Sequence, residues 1–158
     1  NKILTDSKSA LIIGSGVGLE IELIKDSYDL IDAYDIELDK FCYSNHPEVN
    51  FFEEEFKSKE VKKYDDIYII ELLEHVTEPY ALIKDALDVL DYQGRIIITL
   101  AVNIPQFDHM FNFNDIDLFL KNIDKLGLCV DYEKDINHKY IMNGLKNSSN
   151  IFMILKNK

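Results

Sequence analysis

The stretch ALIIGSGVG at residues 10–18 decides the fold that this sequence predicts. An apolar run ends there in glycine, and glycines then occupy every second position, at Gly14, Gly16 and Gly18. The apolar run predicts a buried strand over residues 9–13, and the apolar spacing over residues 17–26 predicts a helix. Because glycine tolerates a left-handed backbone and lets the main chain approach a ligand closely, the turn between them predicts a binding loop.

Beyond this loop, short apolar runs alternate with segments of helical periodicity. Further strands are predicted over residues 28–34, 49–52, 65–70, 95–100, 128–132 and 151–155. Helices are predicted over residues 37–44, from Pro79 to a turn at Gln93-Gly94, and from a cap at Asn114 to Gly127. The last two strands have no helical pattern between them, so we expect them to pair antiparallel. The alternation as a whole predicts an α/β fold, an open and mostly parallel sheet with helices on both faces.

Length, charge and cysteine content narrow the functional classes. The 158 residues suit one domain, and the formal net charge of −12 without a lysine or arginine cluster argues against a nucleic-acid partner. No apolar run is long enough for a membrane span, which argues against a membrane partner. Cys42 and Cys129 have no metal-ligand spacing with a histidine, so no metal is predicted, and two buried thiols suit a cytoplasmic protein.

Asp35 follows the second predicted strand and supplies a partner for the glycine loop. In open parallel sheets, ligands bind at the carboxyl ends of the strands, and a carboxylate there can accept both hydroxyls of a ribose. A dinucleotide fingerprint would need a third glycine at position 19, which is leucine here. An NAD-linked oxidoreductase therefore remains only an alternative.

Several segments together resemble the class I S-adenosylmethionine-dependent methyltransferases. The G-x-G-x-G spacing at residues 14–18 resembles motif I of that family, and residues 64–76 resemble its fourth-strand segment. Within the latter, LEHV at residues 73–76 is similar to a signature of the ubiquinone-biosynthesis-like branch of small-molecule methyltransferases. Residues 89–99 resemble the helix, turn and fifth strand, although the turn reads DYQG where the family usually has KPGG. Residues 108–113, DHMFNF, resemble the loop after strand five in small-molecule and sugar methyltransferases.

The resemblance implies a Rossmann-like sheet of seven strands with one antiparallel strand, and S-adenosylmethionine as the cofactor, with S-adenosylhomocysteine as its product. The cofactor-binding residues that it implies are Gly14, Ser15, Gly16 and Gly18 at the methionine part, Asp35 at the ribose, Ile36, Glu55 and Phe56 at the adenine, and Ile70 and Glu71 near the sulfonium. Glu55 lies in a run of three glutamates, which leaves that assignment open by one residue.

The expected reaction is in-line methyl transfer to a small-molecule acceptor, and the resemblance favours a sugar, a glycan precursor or a secondary metabolite. His109 is the first candidate base because an imidazole titrates near neutral pH, with a structural hydrogen bond as the alternative role. His75 is the second candidate, although orienting its turn is the more favoured role. Family members carry helices before the first strand, whereas only residues 1–8 precede it here. We therefore expect a single domain, residues 1–158, without the usual cap, and a non-catalytic binding or interaction domain stays an alternative.

Overall fold

The computed structural model describes residues 9–58, 62–136 and 148–158. Its strands are β1 (Ser9–Ile13), β2 (Leu30–Asp35), β3 (Asn50–Glu53), β4 (Tyr64–Ile69), β5 (Leu90–Val102), β6 (Leu128–Asp135) and β7 (Ser149–Asn157). Its α-helices are α1 (Leu19–Ile24), α2 (Lys40–Asn45), α3 (Pro79–Asp88) and α4 (Ile116–Lys125), and short 3₁₀ turns span Lys25–Ser27 and Leu73–His75. None of these helices is long and apolar enough to cross a membrane.

The strands form one sheet of seven in the order β3-β2-β1-β4-β5-β7-β6. β7 runs antiparallel to both of its neighbours, and the remaining pairs are parallel. The predicted seven-stranded, mostly parallel sheet with one antiparallel strand is therefore confirmed. Chain order reverses between β1 and β4, which is the position where open α/β sheets place their ligand crevice.

The sheet separates two apolar layers, as the alternation of side chains along β1 illustrates. Leu11 and Ile13 face a core that α3 and α4 cover, whereas Ala10 and Ile12 face a second core covered by α1 and α2. Helices therefore lie on both faces, as predicted.

Two buried aspartates, Asp66 in β4 and Asp32 in β2, each accept hydrogen bonds from several side chains. Asp66 accepts hydrogen bonds from Arg95 Nε at 2.6 Å, from an Arg95 terminal nitrogen at 2.5 Å and from the Tyr28 hydroxyl at 2.8 Å. Asp32 accepts from three side chains, Lys62, Tyr64 and Asn50. Burial alone would raise the pKa of the Asp32 carboxyl, but these three donors outweigh burial and lower it.

Three local predictions are wrong. The helix does not extend to Gln93-Gly94: α3 ends at Asp88 and β5 already begins at Leu90, where its register against β4 shifts between the pairs Tyr64–Leu90 and Asp66–Arg95. Glycine is needed at position 94 for close strand packing, since a Cβ there would lie 2.8 Å from the Asp65 carbonyl oxygen.

The cap of α4 is Asp115 and not Asn114. The Asp115 carboxylate accepts from the backbone N–H groups of Asp117 at 2.9 Å and Leu118 at 3.3 Å, which are orphan donors of the first turn. Among the cysteines, Cys42 is buried as expected, but Cys129 is exposed because it lies on the edge strand β6.

Candidate functional site

The glycine loop lies at the carboxyl ends of β1 and β2 and is held there by the main chain. The N–H groups of Gly14 and Ser15 both donate to the Tyr34 carbonyl oxygen, at 2.8 and 3.2 Å. Gly14, Gly16 and Gly18 have φ angles of 77°, 47° and 79°, which is the left-handed region that side chains disfavour. The alternating glycines thus serve a tight, left-handed turn.

The three glycines of the loop have different surroundings. A Cβ on Gly18 would lie 2.3 Å from the Cys42 sulfur, and one on Gly14 would lie 2.8 Å from the Leu72 side chain. A Cβ on Gly16 would meet nothing within 4 Å. Gly14 and Gly18 therefore allow the loop to pack against its neighbours, whereas Gly16 exposes its backbone to an open cleft.

Asp35 ties the second strand to this loop. Its carboxylate accepts from the Gly16 N–H at 2.8 Å and from the Glu37 N–H at 3.1 Å. Since a carboxylate offers about four acceptor positions, two such bonds leave capacity for a ligand hydroxyl. Asp35 and Gly16 line an open cleft of about 670 Å³, together with Val17, Ile36, Glu37, Leu38, Asp39 and Lys40. This volume lies within the usual range of small-molecule sites, about 300–1,000 Å³.

Ser15 adds a polar atom that the described residues do not satisfy. The residue is only 2% exposed, and its Oγ has no hydrogen-bond partner there. Buried hydroxyls are normally paired, so an unpaired one beside an open glycine loop is where a bound ligand would supply the partner.

Ile70 and Glu71 follow the end of β4, next to the loop that Leu72 contacts. Glu71 adopts a left-handed backbone with φ 49°, fixed by a bond of 2.7 Å from its N–H to the Thr99 hydroxyl. Its carboxylate accepts from the Asn150 side-chain nitrogen at 3.1 Å. Burial raises the pKa of the Glu20 carboxyl, and the charge of Glu71 raises it further. Two carboxylates at this edge favour a ligand that carries a positive charge.

Two predicted adenine contacts lie elsewhere. Glu55 is exposed and forms an ion pair of 2.8 Å with Lys57. Phe56 is buried in the core, edge-on to Tyr34 with ring centroids 5.2 Å apart, because its apolar ring is better sheltered there than at the open cleft. As placed, neither side chain joins Asp35 and Ile36 at the cleft, and both assignments stay predictions.

The two histidines proposed as bases come together at one site. His75 ends the 3₁₀ turn after β4, and His109 lies in the loop after β5, with ring centroids 5.1 Å apart and planes at 90°. The loop is fixed because the N–H groups of Met110 and Phe111 both donate to the Glu74 carbonyl oxygen, at 2.8 and 3.0 Å. His75 Nδ1 lies 3.1 Å from the Asp108 carbonyl oxygen, which can only accept, so Nδ1 carries the proton.

Glu74 is the residue at this site that the sequence did not single out. The residue is 2% exposed, and burial raises the pKa of its carboxyl. The sequence feature that could have identified Glu74 as a site residue is its position next to His75 in the LEHV motif. The return of the loop after β5 to the Glu74 carbonyl oxygen is a long-range contact that no local pattern indicates.

Three phenylalanines of the same loop region have different environments. Phe113 is buried in the core, Phe111 is half-buried with its ring 6.0 Å from that of Tyr80, and Phe107 is fully exposed. Phe113 thus packs into the core, and with Phe111 and Tyr80 it also lines a small cavity of about 260 Å³.

Comparison with known proteins adds the fold relationship. No protein-family model and no curated protein matches the chain. Among solved structures it is similar to magnesium protoporphyrin IX methyltransferase from Synechocystis PCC 6803, crystallised with bound S-adenosylmethionine, at 17% identity over 98% of this chain and 72% of that one, with a TM-score of 0.69. It is also similar to a 1,6-didemethyltoxoflavin N1-methyltransferase from Burkholderia thailandensis, at 11% identity over 95% and 71% of the two chains, with a TM-score of 0.74.

This chain has the fold of S-adenosylmethionine-dependent methyltransferases. The predicted resemblance to that group is thereby confirmed at the level of the fold, while the ubiquinone-biosynthesis-like branch stays a prediction. The same fold also includes the 4+2 cyclase SpnF, at 12% identity over 98% of this chain and 76% of that one, with a TM-score of 0.75. Since one fold supports more than one activity, the function has to be argued from the site.

Proposed function

We propose that this protein binds S-adenosylmethionine at the glycine loop and transfers its methyl group to a small-molecule acceptor. The observation that carries the proposal is the junction of Gly16 with Asp35 at 2.8 Å, which joins the loop and the acid of the second strand on one open cleft. The buried Ser15 hydroxyl, which has no hydrogen-bond partner among the described residues, fits the polar amino-acid end of this cofactor. The carboxylates of Glu20 and Glu71 fit its positively charged ammonium and sulfonium groups.

The strand order favours this cofactor over a dinucleotide. Doubly wound dinucleotide-binding sheets have the order 3-2-1-4-5-6, whereas here the antiparallel β7 lies between β5 and β6. The loop has glycine at positions 14, 16 and 18 and an exposed leucine at position 19, where the dinucleotide fingerprint needs a glycine.

The residues act mainly by positioning. A sulfonium supplies an already activated methyl group when it is bound, so the protein must align it with the acceptor, which lowers the barrier by roughly 7–11 kcal/mol. In the roles we propose, Asp35 holds the ribose beside Ile36, Gly14 to Gly18 hold the methionine part, and Ile70 and Glu71 flank the sulfonium.

On the acceptor side, we propose His109 as the group that takes a proton where the acceptor must lose one, with His75 second. Both lie in segments that follow neighbouring strands, β5 and β4, whose carboxyl ends share one edge of the sheet. An acceptor of the sugar, glycan-precursor or secondary-metabolite class remains our expectation from the resemblance of the His109 loop.

Calorimetric titration with S-adenosylmethionine and S-adenosylhomocysteine tests the cofactor assignment. We expect saturable binding of both and none of NADH. Asp35→Ala should weaken binding by about 1.5–3 kcal/mol, or about 10- to 150-fold, the range for hydrogen bonds to a charged group. The matched control is Asp29→Ala, which removes an exposed carboxylate just before the other end of β2.

Each other outcome has a defined meaning. If the folded chain binds neither compound, the proposed function is wrong. If NADH binds in their place, the oxidoreductase alternative is correct. If the cofactor binds but no S-adenosylhomocysteine forms with a panel of hydroxylated and amine acceptors, the non-catalytic alternative is favoured.

A further inference from the structure

Glu74, His75 and His109 form a cluster that the proposed methyl transfer does not require as a unit. One donor atom from each of the three side chains lies within 4.8 Å of the other two. We refer to these three residues as the Glu74 cluster. The spacing of residues along the chain gave no metal signal, because His109 reaches the other two only through the fold.

Two atoms of the Glu74 cluster are buried without a partner. Glu74 Oε2 and His109 Nδ1 have no hydrogen-bond partner among the described residues. No lysine or arginine of residues 9–58, 62–136 and 148–158 forms an ion pair with Glu74, although this residue is only 2% exposed. A buried carboxylate without a cation is costly, so the site is incomplete as the protein alone builds it.

His75 is oriented as a ligand would be. Its Nδ1–H points to the Asp108 carbonyl oxygen at 3.1 Å, with the Asp108 carboxylate 3.7 Å away. Metal-binding histidines commonly donate one ring N–H to a carbonyl or carboxylate, which leaves a lone pair on the other nitrogen. Here that nitrogen is Nε2.

We propose that the Glu74 cluster binds a divalent transition-metal ion, with zinc as the type. Two imidazoles and one carboxylate are a ligand set of zinc and of non-haem iron(II), whereas magnesium and calcium prefer oxygen ligands. Donors on one zinc ion lie about 3–4 Å apart, given bonds of about 2.1 Å, so the longest separation in the cluster must shorten by about 1 Å.

Three protein ligands leave coordination positions open, which is the pattern of catalytic metal sites. A cation there would take an oxygen atom of an acceptor and lower the pKa of its hydroxyl group. Binding of a metal excludes direct proton transfer to the coordinated nitrogens, because their lone pairs are then used. The metal site and the base role of the histidines therefore exclude each other, and zinc binding at the Glu74 cluster would replace that base role without affecting the cofactor assignment.

Calorimetric titration of the purified full chain with Zn²⁺, without S-adenosylmethionine, tests the proposal separately from the cofactor assignment. We expect one site per chain in 0.15 M salt, undiminished by millimolar Mg²⁺. Glu74→Gln, His75→Asn and His109→Asn should each weaken it by more than about 100-fold, at least the effect of losing a supporting contact. Glu78→Gln, an exposed neighbouring glutamate, and His46→Asn, whose ring pairs with Glu22 and Glu48, should leave it unchanged.

A measurement on the unmodified chain covers variants that fail to fold. Zinc should shift the ring-nitrogen NMR signals of His75 and His109 but not those of His46. Absence of binding, loss of binding on adding Mg²⁺, or equal affinity in all five variants would overturn the proposal, the last two indicating diffuse attraction to a chain of net charge −12.

Discussion

Replacing Gly18 by alanine should destabilise the fold through two separable effects. The position has φ +79°, and a left-handed backbone costs an alanine about 1–2 kcal/mol. The added Cβ would also lie 2.3 Å from the sulfur of buried Cys42, and such overpacking costs typically about 1–3 kcal/mol. We therefore expect Gly18→Ala to lower the free energy of unfolding by about 2–5 kcal/mol.

Gly16→Ala is the matched comparison within the same loop. It has a left-handed φ of +47°, but its Cβ would meet no atom within 4 Å. Only the backbone cost of about 1–2 kcal/mol then applies. Urea unfolding at 25 °C, with both variants and an unchanged slope, measures the difference directly.

Cys42→Ala separates the packing effect from the backbone effect. Removing the sulfur in the Gly18→Ala protein should recover about 1–3 kcal/mol beyond additivity, because the overlapping atom is gone. The same change combined with Gly16→Ala should be additive. If Gly18→Ala and Gly16→Ala cost the same, or if Cys42→Ala gives no rescue, the close contact that we assign to this loop is wrong.

Three further variants test the rest of the scaffold, each by urea unfolding. Asp115→Ala should cost about 1 kcal/mol through loss of the α4 cap, whereas Asn114→Ala should stay within about 0.5 kcal/mol; the reverse order would restore the sequence-based cap. Asp66→Asn should cost about 3–5 kcal/mol because it breaks a buried, bidentate pair with Arg95, and a cost below about 1 kcal/mol would contradict that pairing. The pKa of Asp32 is lowered in the folded protein, so its ionised carboxylate stabilises the fold above about pH 4, and this stabilisation is lost as pH falls through the lowered pKa. The difference in the free energy of unfolding between the unmodified protein and Asp32→Asn should therefore narrow between about pH 5 and 3. A difference that stays constant over this range would be inconsistent with the lowered pKa.

The sequence predicts those parts of the molecule in which a local pattern and the global fold agree. Asp35 ends β2, and the glycine loop follows the end of the neighbouring strand β1. Because these two strands pair in parallel, their carboxyl ends lie side by side, which brings Asp35 next to the glycine loop. Glycine after a helical pattern usually marks the helix end, but Gly94 lies within β5, where it permits contact with the Asp65 carbonyl oxygen of the neighbouring strand β4. That contact is set by sheet register, which residues near Gly94 do not encode.

The same distinction separates the two parts of the candidate site. The cofactor cleft is formed by the glycine turn, which contains Gly16, and by the end of β2, which contains Asp35. The spacing of these few residues in the sequence is enough to predict it. The Glu74 cluster exists only because the loop after β5 returns to the Glu74 carbonyl oxygen and carries His109 with it. The bond from Glu71 to Thr99 ties the β4 end to β5, and Leu72 packs against Gly14, so the β4 turn touches both parts. A shift of that turn would therefore move the cofactor loop and the Glu74 cluster together. The position of the bound cofactor relative to the acceptor side of the site thus depends on this one turn.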